Sequence, residues 1–363
     1  MRRMTRWLSL VCLPLSWLGC EVIAGIEDRT FTDPVSEQCA SYCATVMESC
    51  TAEHQVYSTI ETCQGVCALL DPGDPLEPVG NTVACRAHQA SLAASTRELA
   101  VHCPRSGPGG DGFCGSNCES YCTLYAGACS PEVPTHEDCI ARCAGLKDAQ
   151  MFDVVVNHDG DTLQCRLVHV SSATVEPTEH CPHARLVPAA PCADPEGTAP
   201  VCEDYCQVVM AACQGDHAVY ESTEQCISVC GALPPGSTDQ RTENTVGCRK
   251  SHAYSALLDP VTHCTHAGPG GDGHCGSDAD GTGDCGSYCT LLEAACGASF
   301  EADYDNWEDC QLSCGDLEGA APDTGYAVAS AEATALDCRL LHVSRAFDDS
   351  SECGSASGTD ACD

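Results

Sequence analysis

The chain has 363 residues, 34 of them cysteine, and its 16 Lys and Arg stand against 53 Asp and Glu, for a formal net charge of −37. That balance excludes an electrostatic footprint for nucleic acid or anionic lipid, and an aromatic content of 5% excludes a large core of Phe, Tyr and Trp. Cysteine at this density points to a disulfide scaffold, and the chain has no apolar stretch of about 18 residues that would make an ordinary transmembrane helix.

Arg2, Arg3 and Arg6 precede an apolar run from Trp7 to Gly19. The run is too short to span a bilayer and suits the apolar region of a signal peptide. Its end, Trp17-Leu18-Gly19-Cys20, resembles a bacterial lipobox, in which a small residue precedes a cysteine that is lipidated and becomes the first residue. The usual pattern has Leu where Trp17 stands. The expectation is a signal peptide over 1–19, lipidation at Cys20 and a tether over 20–36. An ordinary cleavable signal would instead give a periplasmic or secreted protein.

Cys12 and Cys20 aside, the remaining 32 cysteines fall into four sets of eight, spanning 37–114, 115–192, 193–275 and 276–363. The sets open at Cys39, Cys118, Cys202 and Cys285, each with Cys-x3-Cys-x6-Cys, and a second Cys-x3-Cys follows in every set. A repeat of this kind is one supersecondary unit used again. Other residues keep their places too. Tyr42, Tyr121, Tyr205 and Tyr288 precede the second cysteine, and Glu61, Glu137, Glu224 and Glu308 stand two before the fourth. Leu70, Leu146, Leu233 and Leu317 follow the fifth by three, and Arg86, Arg166, Arg249 and Arg339 follow the sixth directly. His88, His169, His252 and His342 come three or four residues after the sixth.

Cysteines at i, i+4 and i+11 line one face of a helix, so the first three of each set mark a first helix and the fourth and fifth a second. Ser58-x-x-Glu61, Ser222-x-x-Gln225 and Asp305-x-x-Glu308 predict capping at the second helix's start. A third helix is predicted from Asn81-Thr82, Asp161-Thr162 and Asn244-Thr245, ending before Pro177 and Pro260 in the second and third sets. Period-two alternation is not sustained anywhere. The expected fold is all-α and disulfide-rich: four tandem three-helix repeats of about 80 residues, each with four disulfides inside the repeat.

Two antiparallel helices bearing Cys-x3-Cys form two rungs, first to fifth and second to fourth. This is similar to the twin Cys-x3-Cys hairpin of the small mitochondrial Tim chaperones over about 30 residues per repeat, in geometry and not in function. The third cysteine is then expected to reach the sixth, and the seventh the eighth, among the 105 pairings that eight cysteines allow. If helix three packs beside the hairpin, each repeated Arg is expected to be partly buried near its repeat's Glu, with the Tyr covering the pair. The competing reading has the Glu cap helix two and the Arg face water.

The signal-Cys start, the acidity and the Cys-Arg-x-x-His … His-Cys … Gly-Pro-Gly-Gly-Asp-Gly-x-Cys-Gly pattern make the whole chain resemble cysteine-rich tandem-repeat lipoproteins of the myxobacterial type. The resemblance implies an outer-membrane or cell-surface lipoprotein and no particular activity.

Cys-x3-Cys is not a zinc knuckle spacing, and a redox Cys-x-x-Cys is absent. Nucleophile elbows, His-Glu-x-x-His and phosphate-binding glycine loops are absent as well. The stretch from Asp278 to Asp284 is rich in Asp, but Cys289 stands where an EF-hand needs Glu; it reads as an inserted, solvated linker. Histidine carries the remaining chemistry. His102, His180 and His263 precede the seventh cysteine of the first three repeats, Glu352 takes that place in the fourth, and His183 and His266 complete a His-Cys-x-His cluster in the second and third. Imidazoles so placed suit copper, zinc or haem iron, and packing beside the sixth cysteine is the structural alternative.

The expected function is therefore a non-catalytic, exported, lipid-anchored structural or recognition scaffold of the cell envelope, with binding in loops such as 51–57 and 214–221. Its partners are the membrane, through the anchor, and an envelope or extracellular molecule; no nucleic acid and no cofactor are called for. The alternative is a metal or haem protein using His88, His102, His169, His180, His183, His252, His263 and His266.

Overall fold

A computed structural model describes residues 34–149, 151–276, 284–320 and 325–362. The signal peptide, Cys20 and nearly all of the tether lie outside these residues, as does 277–283 of the Asp-rich stretch.

The described chain is all-helical, with isolated bridges at Asp71–Thr82 and Asp74–Glu77 and no strand among the described residues. The first repeat contains α1 (Pro34–Ser49), α2 (Ile60–Leu69), α3 (Val83–Thr96) and α4 (Leu99–Ser106). The second contains α5 (Asn117–Ala128), α6 (His136–Cys143), α7 (Leu163–Ala173) and α8 (Pro177–His180). The third contains α9 (Cys202–Ala212), α10 (Thr223–Ala232), α11 (Val246–Ala256) and α12 (Pro260–Ala267). The fourth contains α13 (Cys285–Ala295), α14 (Gly297–Asp303), α15 (Trp307–Cys314), α16 (Ala335–Ala346) and α17 (Cys353–Ser357). Each repeat thus has the three expected helices and then a short one that the sequence reading does not separate; α14 is an extra turn in the fourth.

The helix starts follow from side-chain chemistry. Thr82, Thr162, Thr245 and Thr334 accept hydrogen bonds from the backbone amides of Cys85, Cys165, Cys248 and Asp337, capping the third helix of each repeat. The second helices are capped by Thr59, Thr135, Ser222 and Asn306: Ser222 is the expected cap, Thr59 and Asn306 each stand one residue after the expected Ser58 and Asp305, and Thr135 caps the helix for which none was expected. Glu61, Glu137, Glu224 and Glu308 lie exposed in or beside the first turns of those helices, where the dipole favours a negative charge. The turn after α2 and after α10 needs glycine. Gly73 and Gly236 take φ of +67° and +60°, and a Cβ there would lie 2.6 and 2.5 Å from the Cβ of Thr82 and Thr245.

All sixteen described disulfides close within one repeat. Cys39–Cys67 and Cys43–Cys63 make the expected hairpin rungs, matched in the other three repeats. The other half of the expected pairing is corrected. The third cysteine bonds the seventh, as in Cys50–Cys103 and Cys213–Cys264, and the sixth bonds the eighth, as in Cys85–Cys114 and Cys248–Cys275. The reason is the short fourth helix, which folds back on the third and delivers the seventh cysteine to the end of the first helix.

The repeated Tyr and Arg explain why that segment folds back. Tyr42, Tyr121, Tyr205 and Tyr288 are buried, and their hydroxyls donate to the carbonyls of Ser106, Ala184, Ala267 and Ala356. In the first three repeats the Arg Nε donates to the very next carbonyl, that of Gly107, Arg185 and Gly268. Arg86, Arg166 and Arg249 have no exposed surface, whereas Arg339 is half-buried and its Nε faces the Cys362 carbonyl at 3.4 Å. The expected Arg–Glu pairs are thus replaced: the guanidinium is satisfied mainly by main-chain oxygens, which carry no side-chain signature. The exception is Arg166, which pairs at 3.0 Å with Asp161.

Successive repeats meet through the second helix of one and the first and third of the next: α2 on α5 and α7, α6 on α9, α10 on α13 and α16. Polar groups cross each junction. Arg86 and Asn81 bond Ser120, and Arg249 and Asn244 bond Ser287. Between the second and third repeats, Asp161 receives Arg166, the Tyr254 hydroxyl at 2.6 Å and the Lys250 ammonium at 3.3 Å.

Candidate metal centres

One polar pair recurs between the third helix and the start of the fourth. In the first repeat His102 Nδ1 lies 2.8 Å from Gln89 Oε1. In the second, His169 Nδ1 lies 3.0 Å from His180 Nδ1, and in the third His252 Nδ1 lies 3.1 Å from His263 Nδ1. In the fourth, His342 Nδ1 faces Glu352 Oε2. His88 is not part of this set; it is exposed, one residue short of the inward position that Gln89 takes. Counting four residues from the sixth cysteine in every repeat would have found Gln89, since one helical turn returns to the same face.

In the first and fourth repeats the pair is complementary, amide with imidazole and imidazole with carboxylate. The second and third bring two imidazoles together and add a third. The ring nitrogens of His169, His180 and His183 lie within 4.8 Å of one another, and so do those of His252, His263 and His266. His266 Nδ1 is 3.3 Å from His252 Nδ1, and the His274 ring centroid is 3.9 Å from that of His266. His183 Nδ1 is buried without a hydrogen-bond partner, an atom with a lone pair or proton left over. The neighbouring Cys165, Cys192, Cys248 and Cys275 are tied in disulfides and offer no thiolate.

Burial and neighbouring imidazoles favour the neutral form of His169 and His252, and burial that of His263. Burial pulls His169 down first, with His183 and His180 adding to it, while the His158 carbonyl works the other way. His252 is pushed down to about 4 by burial, then by His266 and His263. Burial also lowers His263, partly offset by Asp259. Neutral imidazole is the form that ligates a metal ion. The third-repeat cluster opens onto a cleft of about 490 Å³ at the junction with the second repeat, lined by Asp194, Asp239, Arg241, Tyr254, His252 and His274. His274 was not among the expected ligands, although it stands directly before the eighth cysteine.

The BfoA family C-terminal domain matches residues 27–118 and 196–278, the first and third repeats with their flanks and just under half of the chain. The chain is also similar to an EGF-like domain-containing protein of Acanthamoeba polyphaga mimivirus, 36% identical over 73 residues, which are 18% of this chain and 13% of the viral protein. The matched segment is therefore a small part of that relative. No solved structure matches the chain.

Proposed function

We propose that this is an exported, lipid-anchored, non-catalytic scaffold of the bacterial cell envelope whose second and third repeats each hold one divalent transition-metal ion on a histidine triad. The observation that carries the metal reading is the convergence of three imidazoles in each of those two repeats, where the first and fourth repeats pair a single imidazole with Gln89 or Glu352. An all-imidazole donor set suits zinc, copper or nickel. Three nitrogens converging on one point fit a single ion, whereas a haem takes axial ligands on opposite faces of its ring. Sixteen disulfides support export to an oxidising compartment, and the BfoA likeness supports a bacterial family. The lipobox likeness, with Cys20 outside the four sets of eight, supports the anchor.

Full-length protein dialysed against zinc and measured by elemental analysis should retain about two equivalents. His183→Ala and His266→Ala should each remove about one, and the double variant about both. Less than about half an equivalent in the unaltered protein, or a stoichiometry indifferent to both changes, overturns the metal reading. Separately, Cys20→Ser should move the protein from the membrane fraction to the soluble one; unchanged membrane association overturns the anchor.

A further inference from the structure

The junction between the third and fourth repeats buries three carboxylates that the histidine reading does not use. Asp272, on the Gly-Pro-Gly-Gly-Asp-Gly turn, is 4% exposed; Asp284, before α13, is 2% exposed; Asp337, in the first turn of α16, is 5% exposed. Both carboxylate oxygens of Asp284 and Oδ1 of Asp337 are buried without a hydrogen-bond partner. Asp272 Oδ1 accepts from the Gly325 amide at 3.2 Å. Arg249 is close enough to act on Asp284, but its own hydrogen bonds go to the carbonyls of Thr245, Gly268, Pro269 and Gly270 and to Ser287. The reading of this stretch as solvated linker is therefore corrected at Asp284.

The junction between the first and second repeats is built differently in the same places. Asn117 stands for Asp284 directly before the first cysteine, and Gln164 stands for Asp337 directly before the sixth. There Asn117 Nδ2 donates to both oxygens of Asp148 at 3.1 Å, and Gln164 Nε2 donates to Oδ1 of the same carboxylate. Here amides face the exposed carboxylate of Asp148 and supply it with donors. At the later junction both amides have become acids and donors have become acceptors: burial, then Asp272, then Asp337 push Asp284 up to about 7, with Arg249 and the Asp272 backbone amide working the other way. Gly270 keeps the space open, since a Cβ there would lie 2.1 Å from Asp284 Oδ2.

We propose that Asp272, Asp284 and Asp337 form a calcium site that pins the third repeat to the fourth. Oxygen-only donors of high charge density select a hard cation, and the irregular set of three carboxylates from a turn and two helix starts suits calcium's flexible shell better than magnesium's strict octahedron. A divalent ion supplies the positive charge that the buried acids Asp284 and Asp337 lack, at the places where the earlier junction carries the uncharged amides Asn117 and Gln164.

The test uses full-length protein, stripped with EGTA and titrated with calcium chloride. Calorimetry should find one site, and saturating calcium at about 100 times its Kd should raise Tm by roughly 5 °C. The variant Asp284→Asn with Asp337→Gln recreates the earlier junction's amides; it should fold, lose that site and show a Tm indifferent to calcium. Asp272→Asn should weaken calcium binding at least about tenfold. No calcium binding by the unaltered protein, or the same calcium-dependent rise in the double variant, overturns the proposal. His183→Ala and His266→Ala should leave calcium binding unchanged, so this site and the histidine triads fail independently.

Discussion

Arg249→Met should destabilise the oxidised protein by roughly 3–5 kcal/mol, far more than any surface substitution. The guanidinium has no exposed surface, and it donates to the consecutive carbonyls of Gly268, Pro269 and Gly270 as well as to Ser287 of the next repeat. Met fills comparable volume but leaves those oxygens buried without donors, and each orphaned acceptor costs about 1–3 kcal/mol before relaxation. Lys should rescue little, because one ammonium cannot span a fork of acceptors. Glu224→Ala is the control: Glu224 is exposed, so its loss should cost about 0.5 kcal/mol or less. Denaturant unfolding measures both. A loss near 1 kcal/mol for Arg249→Met would return the Arg to the solvated role.

Replacing Cys213 and Cys264 together with Ala should cost about 4 kcal/mol, and Cys206 with Cys226 about 3. The first pair closes a separation of 51 residues and the second 20, and loop-closure entropy grows with the logarithm of that length. The longer rung also holds α12, which carries His263 and His266, against the first helix of its repeat. Its loss should therefore abolish the third-repeat metal equivalent as well as lower stability, while the shorter rung's loss should spare the metal. Elemental analysis beside denaturant unfolding separates the two effects. Equal metal retention in both double variants would mean that α12 is held without its disulfide.

Much of the architecture is local and therefore readable in the sequence. Cysteine spacing fixes a helical face because one turn of helix is a fixed length, so the first two rungs follow from Cys-x3-Cys alone. Thr82, Thr162 and Thr245 begin the third helix because a hydroxyl three residues ahead of an amide is a short-range device. The pairing of Cys50 with Cys103 and of Cys85 with Cys114 is not local in this way. It depends on α4 doubling back on α3, which spacing along the chain does not specify.

Composition and repetition alone determined four cysteine sets, an all-helical disulfide scaffold and histidine as the residue with chemistry to spare. Only the tertiary structure decided what those residues meet. Carbonyl oxygens belong to every residue type, so nothing in the sequence marks Gly107 or Gly268 as the acceptor of a buried Arg. A one-residue offset on a helix turns a side chain by about 100°, which sends His88 to solvent and puts Gln89 against His102. Asp272, Asp284 and Asp337 become a single electrostatic object only because two repeats pack together, and charge acts through space and not along the chain.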